Sequence, residues 1–516
     1  MRVGHPTNPG RRRVLVASLA AAALAPLFGR LCAARFTTDP FTLGIASGCP
    51  RPDGVLLWTR LAPDPLDAGA MSPEPIRVDW QVAEDQAFAR TVARGSEMAI
   101  PESAHSVHAE VQGLRPGRDY WYRFQAGDAT SPIGRTRTAP AAGQSPAQFR
   151  LAFASCQQYE QGYYAAYRDM AARELDLVVH LGDYIYESSW GARLVRRHTG
   201  AIPSTLDEYR DRYALYKSDR DLQAAHAAAP WLVIWDDHEV ANDYTNDRTL
   251  LVQDPAQFLA LRAAAYQAWY EHMPVPKSAR PDGPNATIYG RYRFGDLADV
   301  MMLDGRQYRS PHACLTGRSA APLVDCPDRH APSRSYLGSA QEAWFAEQMR
   351  RSPAHWSVVA QPTLMAEVDR KAGAEHGYWM DGWDGYPAAR KRLFDALATQ
   401  PNANALVVSG DVHAFWAADL RHDVGAQRDR IVATEFVGGA ITSQGPSAAS
   451  VSTALAKNPH LRYGRGDKRG YGLMTLDRKH CNVEFQAVDD EKNRASAVRR
   501  LAQFGVDSGA PGVQQA

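Results

Sequence analysis

The sequence has almost no net charge: 58 lysines and arginines against 57 aspartates and glutamates leave +1 over 516 residues. This balance excludes the long-range pull of a nucleic-acid-binding or membrane-surface protein, so affinity for an anion must reside in a local site. No nucleic-acid-binding module is expected. Long apolar runs are missing too. The best candidate, Val14–Phe28, is shorter than the roughly 20 apolar residues that cross a bilayer, so no stable membrane anchor is expected. There is no low-complexity tract and no fixed-period repeat. Cysteine is scarce, with six in the chain. The 45% of hydrophobic residues suffices for a sizeable core, and the length exceeds one typical domain, so a large domain with a smaller one is expected.

Residues 1–34 have the form of an export signal. Arg11, Arg12 and Arg13 precede the apolar run, and the small residues Cys32 and Ala34 offer a processing site. The run Arg11-Arg12-Arg13-Val14-Leu15 fits a twin-arginine signal; an ordinary secretory signal with an extra arginine is the other reading. The first makes the twin-arginine export machinery a partner and the periplasm or the cell exterior the destination. Losing Cys32 leaves an odd number of cysteines. Cys314 and Cys326 share a Gly/Pro/Ser-rich stretch and could close a loop worth about 3 kcal/mol. Cys49 and Cys481 could also pair, which leaves Cys156 as the odd one out.

From about residue 41 to 140 short alternating runs separated by turn residues predict a small all-β sandwich of fibronectin or immunoglobulin type. Within it Gly113–Phe124 has the pattern of a turn entering a strand, where a tyrosine hydroxyl bonds back to the backbone. A linker rich in Ala, Pro, Gly and Ser follows at residues 139–148. Beyond it, strand-length apolar runs (151–154, 177–181, 231–235, 300–303, 357–360, 405–408) alternate with amphipathic helical stretches (162–174, 255–272, 339–351, 388–398). Continuous apolar strands beside helices predict α/β (α+β) sheets covered on both faces, over a domain spanning 149–490. The tail 505–516 is expected to be mobile.

Four of these strands run straight into hard metal ligands. Residues 151–155 lead to Cys156, 177–182 to Asp183 and Tyr186, 231–235 to Asp236-Asp237-His238-Glu239 and Asn242, and 406–410 to Asp411 and His413. Ligands bind beyond the carboxyl ends of strands in α/β sheets, where loops converge. Any one cluster has a bland alternative: a turn, a solvated helix start, a buried hydrogen bond. Four together point to a metal centre. An Asp-Asp-His-Glu run is also costly to bury without cations or partners.

Ser155-Cys156-Gln157, Gly182-Asp183-Tyr184-Ile185-Tyr186-Glu187, Trp235–Asn242, Leu303–Arg309 and Ser409–His413 together resemble the alkaline phosphatase D family of the calcineurin-like metallophosphoesterases. The resemblance implies a two-sheet metallophosphoesterase sandwich flanked by helices and preceded by the small β-sandwich. It also implies phosphomonoesterase or phosphodiesterase activity, ferric iron and calcium as cofactors, and Asp183 as a carboxylate bridging two metals. The sequence departs from the wider superfamily, with Asp236-Asp237-His238-Glu239 for its Gly-Asn-His-Glu and Gly-Asp-x-His for its Gly-His-x-His. More carboxylate and less imidazole argues against a plain di-zinc or di-manganese site.

The residue chemistry leads the same way. A phenolate from Tyr186 and a thiolate from Cys156 suit ferric iron beside Asp183. Oxygen ligands from Asp236, Asp237 and Asn242 suit calcium, and Asp411 and His413 close the cluster. Cations so placed hydrolyse phosphate esters by activating a hydroxide. His238 is either the acid for the leaving oxygen or a metal or structural histidine. Arg306 is either the bidentate phosphate contact or an ion pair with Asp304. Trp379, Trp383 and Tyr386 with Asp381 and Asp384 either line the substrate mouth or simply pack, the mouth being favoured; His180 is expected in the core, and Arg196-Arg197-His198 in a solvated loop. The alternative functions are a phospholipase D-like phosphodiesterase and a secreted binding protein with a structural metal cluster.

Overall fold

The computed structural model describes residues 35–515 except 68–70, 250–251, 253, 316–322, 400–403 and 425–426. The expected signal, with its arginines and Cys32, lies outside the described residues.

A ten-stranded and a seven-stranded sheet are the two main layers of the fold. Strand alternation explains their burial. In the seven-stranded sheet Val300, Val358, Leu406 and Val408 face the core shared with Leu151, Phe153 and Val178 of the ten-stranded sheet. Their neighbours Met301, Val359 and Val407 face the helices Gly338–Arg351 and Pro387–Leu397 through Phe345, Met349 and Leu393. Both faces are therefore covered, as the continuous apolar runs require.

The strands Phe149–Ala154, Leu177–His180 and Pro230–Val233 are parallel neighbours in the ten-stranded sheet. Ala154 lies opposite His180, and His180 opposite Val233, so their carboxyl ends are level. The strand Ala405–Gly410 lies inside the seven-stranded sheet, between parallel partners Trp356–Thr363 and Gln427–Gly438. Four loops thus leave the two sheets toward one place.

The N-terminal sandwich forms as expected around Val55, Leu57, Val78, Val82, Tyr122 and Phe124. The Tyr120 hydroxyl accepts from the Arg115 N–H at 2.9 Å, five residues upstream. One layer of this sandwich is the end of the large sheet, because Ile45–Arg51 pairs in parallel with Pro230–Val233. The two regions share backbone hydrogen bonds and are not merely tethered by a linker.

Two sequence expectations fail here. The tail is ordered: Val498–Asp507 and Ala510–Gln515 are the last strands of the ten-stranded sheet, joined at Gly509 with φ +80°. Phe504 and Val506, two apart, point into the core, which fastens the hairpin. Cys49 and Cys481 do not pair; both are free and buried. Their strands are separated by four others in the sheet order, roughly 24 Å at ordinary strand spacing, against the 7 Å limit for a disulfide. Cys314 and Cys326 do form a disulfide, with Cα atoms 6.4 Å apart. The run Arg196–His198 is solvated only in part: Arg197 is exposed, while Arg196 pairs with Asp219 at 2.6 Å and His198 is bonded to Tyr216 at 3.0 Å.

Candidate metal centre

Three of the four loops hold key side chains in a costly backbone conformation. Cys156 (φ +59°), Asp183 (+56°), Asp411 (+65°) and His413 (+51°) all adopt the left-handed region, which costs about 1–3 kcal/mol each for a residue with a Cβ. Neighbouring hydrogen bonds over-determine it. The Cys156 N–H donates to the Gly182 carbonyl at 3.2 Å and the Gln157 N–H to the Asp183 carbonyl at 3.1 Å, so the first two loops brace each other. Glu239 ties the second to the third: its carboxylate accepts the N–H groups of Asp183 (3.1 Å), Tyr184 (2.6 Å) and Asp236 (2.8 Å).

The side chains converge. Ligand atoms of Cys156, Asp183 and His413 lie within 4.8 Å of one another, as do those of Asp183, Asp237 and His238, and those of Asp183, Asp236, Asp237 and Asp411. Asp183 belongs to all three groups. Tyr186 joins them, its hydroxyl donating to Asp183 Oδ2 at 2.8 Å, lying 3.0 Å from His413 Nε2, and accepting from Ser443 at 2.8 Å. Asn242 lines the same cavity, exposed, with its backbone N–H donating to Glu187 at 3.0 Å.

The electrostatics demand positive charge. Asp183 Oδ1, Asp236 Oδ2, Asp237 Oδ1 and Asp411 Oδ2 are buried and have no hydrogen-bond donor among the described residues. Burial, then the neighbouring carboxylates, push Asp236 up to about 8 despite Arg306, and lift Asp411 well above the carboxyl range. Burial and Asp183 do the same to the Cys156 thiol. Asp183 goes the other way: against its burial, His238 and then His413 hold it at about 2. Orphaned carboxylate oxygens beside a buried thiol and phenol form a donor set that fits multivalent cations.

Arg306 corrects the expectation placed on it. It is fully buried and spends its guanidinium inside the protein, on Asp236 and bidentately on Asp381 at 2.8 Å, with Asp237 Oδ1 at 3.3 Å. Its bidentate partner is Asp381, not Asp304, which accepts only its backbone N–H. It is a brace behind the carboxylates and not a substrate contact. His238 does face the cavity. Its Nδ1 lies 2.6 Å from Glu187, and although burial opposes protonation, Glu187, Asp237 and Asp183 raise it well above the usual histidine range.

Of the aromatic group, Trp379 lines the cavity while Trp383 and Tyr386 are core. His180 is core as expected, buried against Trp231 and pushed by desolvation down to about 3. Sequence reasoning gave no individual role to Glu187, Glu239, Asp243, Ser443 or Arg370. The Gly-Asp-Tyr-Ile-Tyr-Glu and Asp-Asp-His-Glu runs contained the two glutamates, but nothing distinguished a ligand there from a support.

Residues 151–485 match the PhoD-like phosphatase family, and residues 24–140 match the PhoD-like phosphatase N-terminal domain. The chain is 44% identical over 480 residues to alkaline phosphatase D of Bacillus subtilis (strain 168), covering 92% of this chain and 82% of that protein. A solved structure titled as that of PhoD superposes with a TM-score of 0.90 at 43% identity, covering 94% of this chain and 93% of the other.

Proposed function

The chain belongs to the PhoD-like phosphatase family and is a phosphoric ester hydrolase, and from that premise we propose that it works at a multi-metal centre organised around Asp183. The family sets aside the binding-protein alternative. Cys156, Tyr186 and Asp183, with His413, would hold ferric iron, whose affinity for thiolate and phenolate is marked. Asp236, Asp237, Asn242 and Asp411 would hold the harder calcium. When bound, such cations neutralise phosphoryl oxygens and acidify water.

The chain's own residues do the rest. Glu239 orients two ligand loops by accepting three of their N–H groups. Arg306 and Asp381 keep Asp236 in place from behind. Glu187 holds the His238 ring and keeps it protonated, so Nε2 donates a proton to the departing alkoxide.

The observation that carries this reading is the set of buried oxygens on four aspartates that meet at one point and receive no hydrogen bond among the described residues. The test is metal analysis of purified protein alongside hydrolysis of 4-nitrophenyl phosphate and bis(4-nitrophenyl) phosphate. We expect iron and calcium, turnover abolished by chelation, and a folded, inactive Asp183→Asn. Cys156→Ser should lose a visible charge-transfer band. Full turnover in metal-stripped protein would overturn the centre.

We also propose twin-arginine export, supported by Arg11-Arg12-Arg13 and the short apolar run after it. No helix among the described residues is long and apolar enough to cross a membrane. Changing all three arginines to lysine should retain the precursor in the cytoplasm; continued export would favour the ordinary secretory route.

A further inference from the structure

Around the metal centre, arginines are spent on the protein itself. Arg306 serves Asp236 and Asp381, and Arg309 serves Asp381 and the Gly305 carbonyl. Arg390 holds Asp384 and Glu367, and Arg469 bonds the carbonyls of His413, Ser443 and Gly466. Arg370 differs. Its backbone N–H donates to the Gly377 carbonyl at 2.9 Å, which fixes its position. Its Nε is buried and unpartnered.

That guanidinium lines the cavity of ≈ 410 Å³ that also exposes Asp183, Asp237, His238, Asp411 and His413. It lies over the Trp379 ring, 5.5 Å from its centroid. Leaving a buried N–H donor without an acceptor is costly, and a planar fork of N–H donors matches the oxygens of a phosphoryl group. The role that sequence spacing gave to Arg306 is geometrically open to Arg370.

The wall beside it has its own character. The paired segments Leu323–Val324 and Tyr378–Trp379 form a small two-stranded flap. Leu323 and Trp379 line the cavity with Val412 and Pro446, and Leu323 remains 38% exposed. The flap is held from outside by Arg329, stacked on Tyr378 at 3.8 Å. An indole and a leucine above a metal cluster suit an ester whose alcohol is flat or apolar.

We propose that Arg370 is a substrate-binding residue: its guanidinium grips phosphoryl oxygens beside the cations, and Trp379 packs on the esterified group. The substrate class is therefore a phosphate ester with a flat or apolar alcohol. This rests on the phosphatase centre described above.

The experiment compares Arg370→Ala, Arg370→Lys and Trp379→Ala with the metal-loaded parent. Arg370→Ala should raise KM for 4-nitrophenyl phosphate at least tenfold and weaken competitive inhibition by inorganic phosphate similarly, with metal content and Tm kept. Arg370→Lys should recover only part, since an ammonium lacks the fork. Trp379→Ala should reduce the preference for 4-nitrophenyl phosphate over glycerol phosphate while leaving phosphate inhibition unchanged. Unaltered KM and phosphate inhibition in Arg370→Ala, or loss of its metals, would overturn the assignment. Calorimetry of inorganic phosphate on metal-loaded protein reads Arg370 directly. Absence of turnover in the parent would instead sink the function, so the two failures are distinguishable.

Discussion

Glu239 illustrates how a residue can be essential to a site without touching what the site binds. Its carboxylate gathers the N–H groups of Asp183, Tyr184 and Asp236, the backbone on which two of the proposed ligands stand. Glu239→Gln replaces one of its two acceptor oxygens with an amide that cannot accept, so at least one of these N–H groups loses its bond. Supports of metal ligands typically contribute 10–100-fold in affinity, and a loss of that size is expected in calcium titrations, with the fold retained. An unchanged affinity would make Glu239 a bystander. At this scale the candidate cluster was legible in the sequence, because acids, a thiol and an imidazole after apolar strands have few other uses, and the fold brings these side chains within 4.8 Å of one another in three groups. Glu239 and Arg306 were not. Their roles depend on where backbone N–H groups and carboxylates point, which adjacency in sequence does not encode.

Individual strands and helices were readable from their periodicity, and several boundaries agree closely, as at Pro255–His272. The helix Leu206–Lys217 escaped notice although Thr205 and Glu208 form a capping box, since its apolar stripe is weak. Sheet membership was not legible: the pairing of Ile45–Arg51 with Pro230–Val233 joins segments far apart in sequence. The turn into Asp183 carries a specific demand. Gly182 has φ +104°, and a Cβ there would lie 2.5 Å from Asp236 Cβ and 2.6 Å from its nitrogen. Gly182→Ala should therefore cost about 1–3 kcal/mol from crowding alone, read as a fall in the denaturation midpoint. The C-terminal hairpin makes an opposite test of the expected mobile tail. Phe504 is buried between Phe485 (5.3 Å) and Tyr463 (5.2 Å), so Phe504→Ala should cost about 3–5 kcal/mol. A neutral substitution would mean that the hairpin is not fastened to the core through Phe504.

For the molecule as a whole, the centre is a place where folding, protons and cations are linked. Without cations, burial holds Asp236 at about 8 and lifts Asp411 and Glu239 above their ordinary values. The fold then binds protons that the unfolded chain releases near pH 4. The stability linked to these groups is present below about pH 4 and is lost as pH rises toward 8. Buried histidines act in the opposite sense: desolvation lowers His108 and His198 to about 4, so their contribution is present above about pH 6.5 and lost as pH falls toward 4. They titrate alike with or without metal and cancel in a comparison. Cations must displace protons from the carboxylates to bind, so their stabilisation grows as the pH rises. The Tm difference between metal-loaded and chelated protein should therefore widen between about pH 5 and pH 8. Paired thermal scans across that window decide the matter. A gap that stays constant or narrows would mean that the aspartates are not where the cations bind, and that the strain in the three loops has another cause.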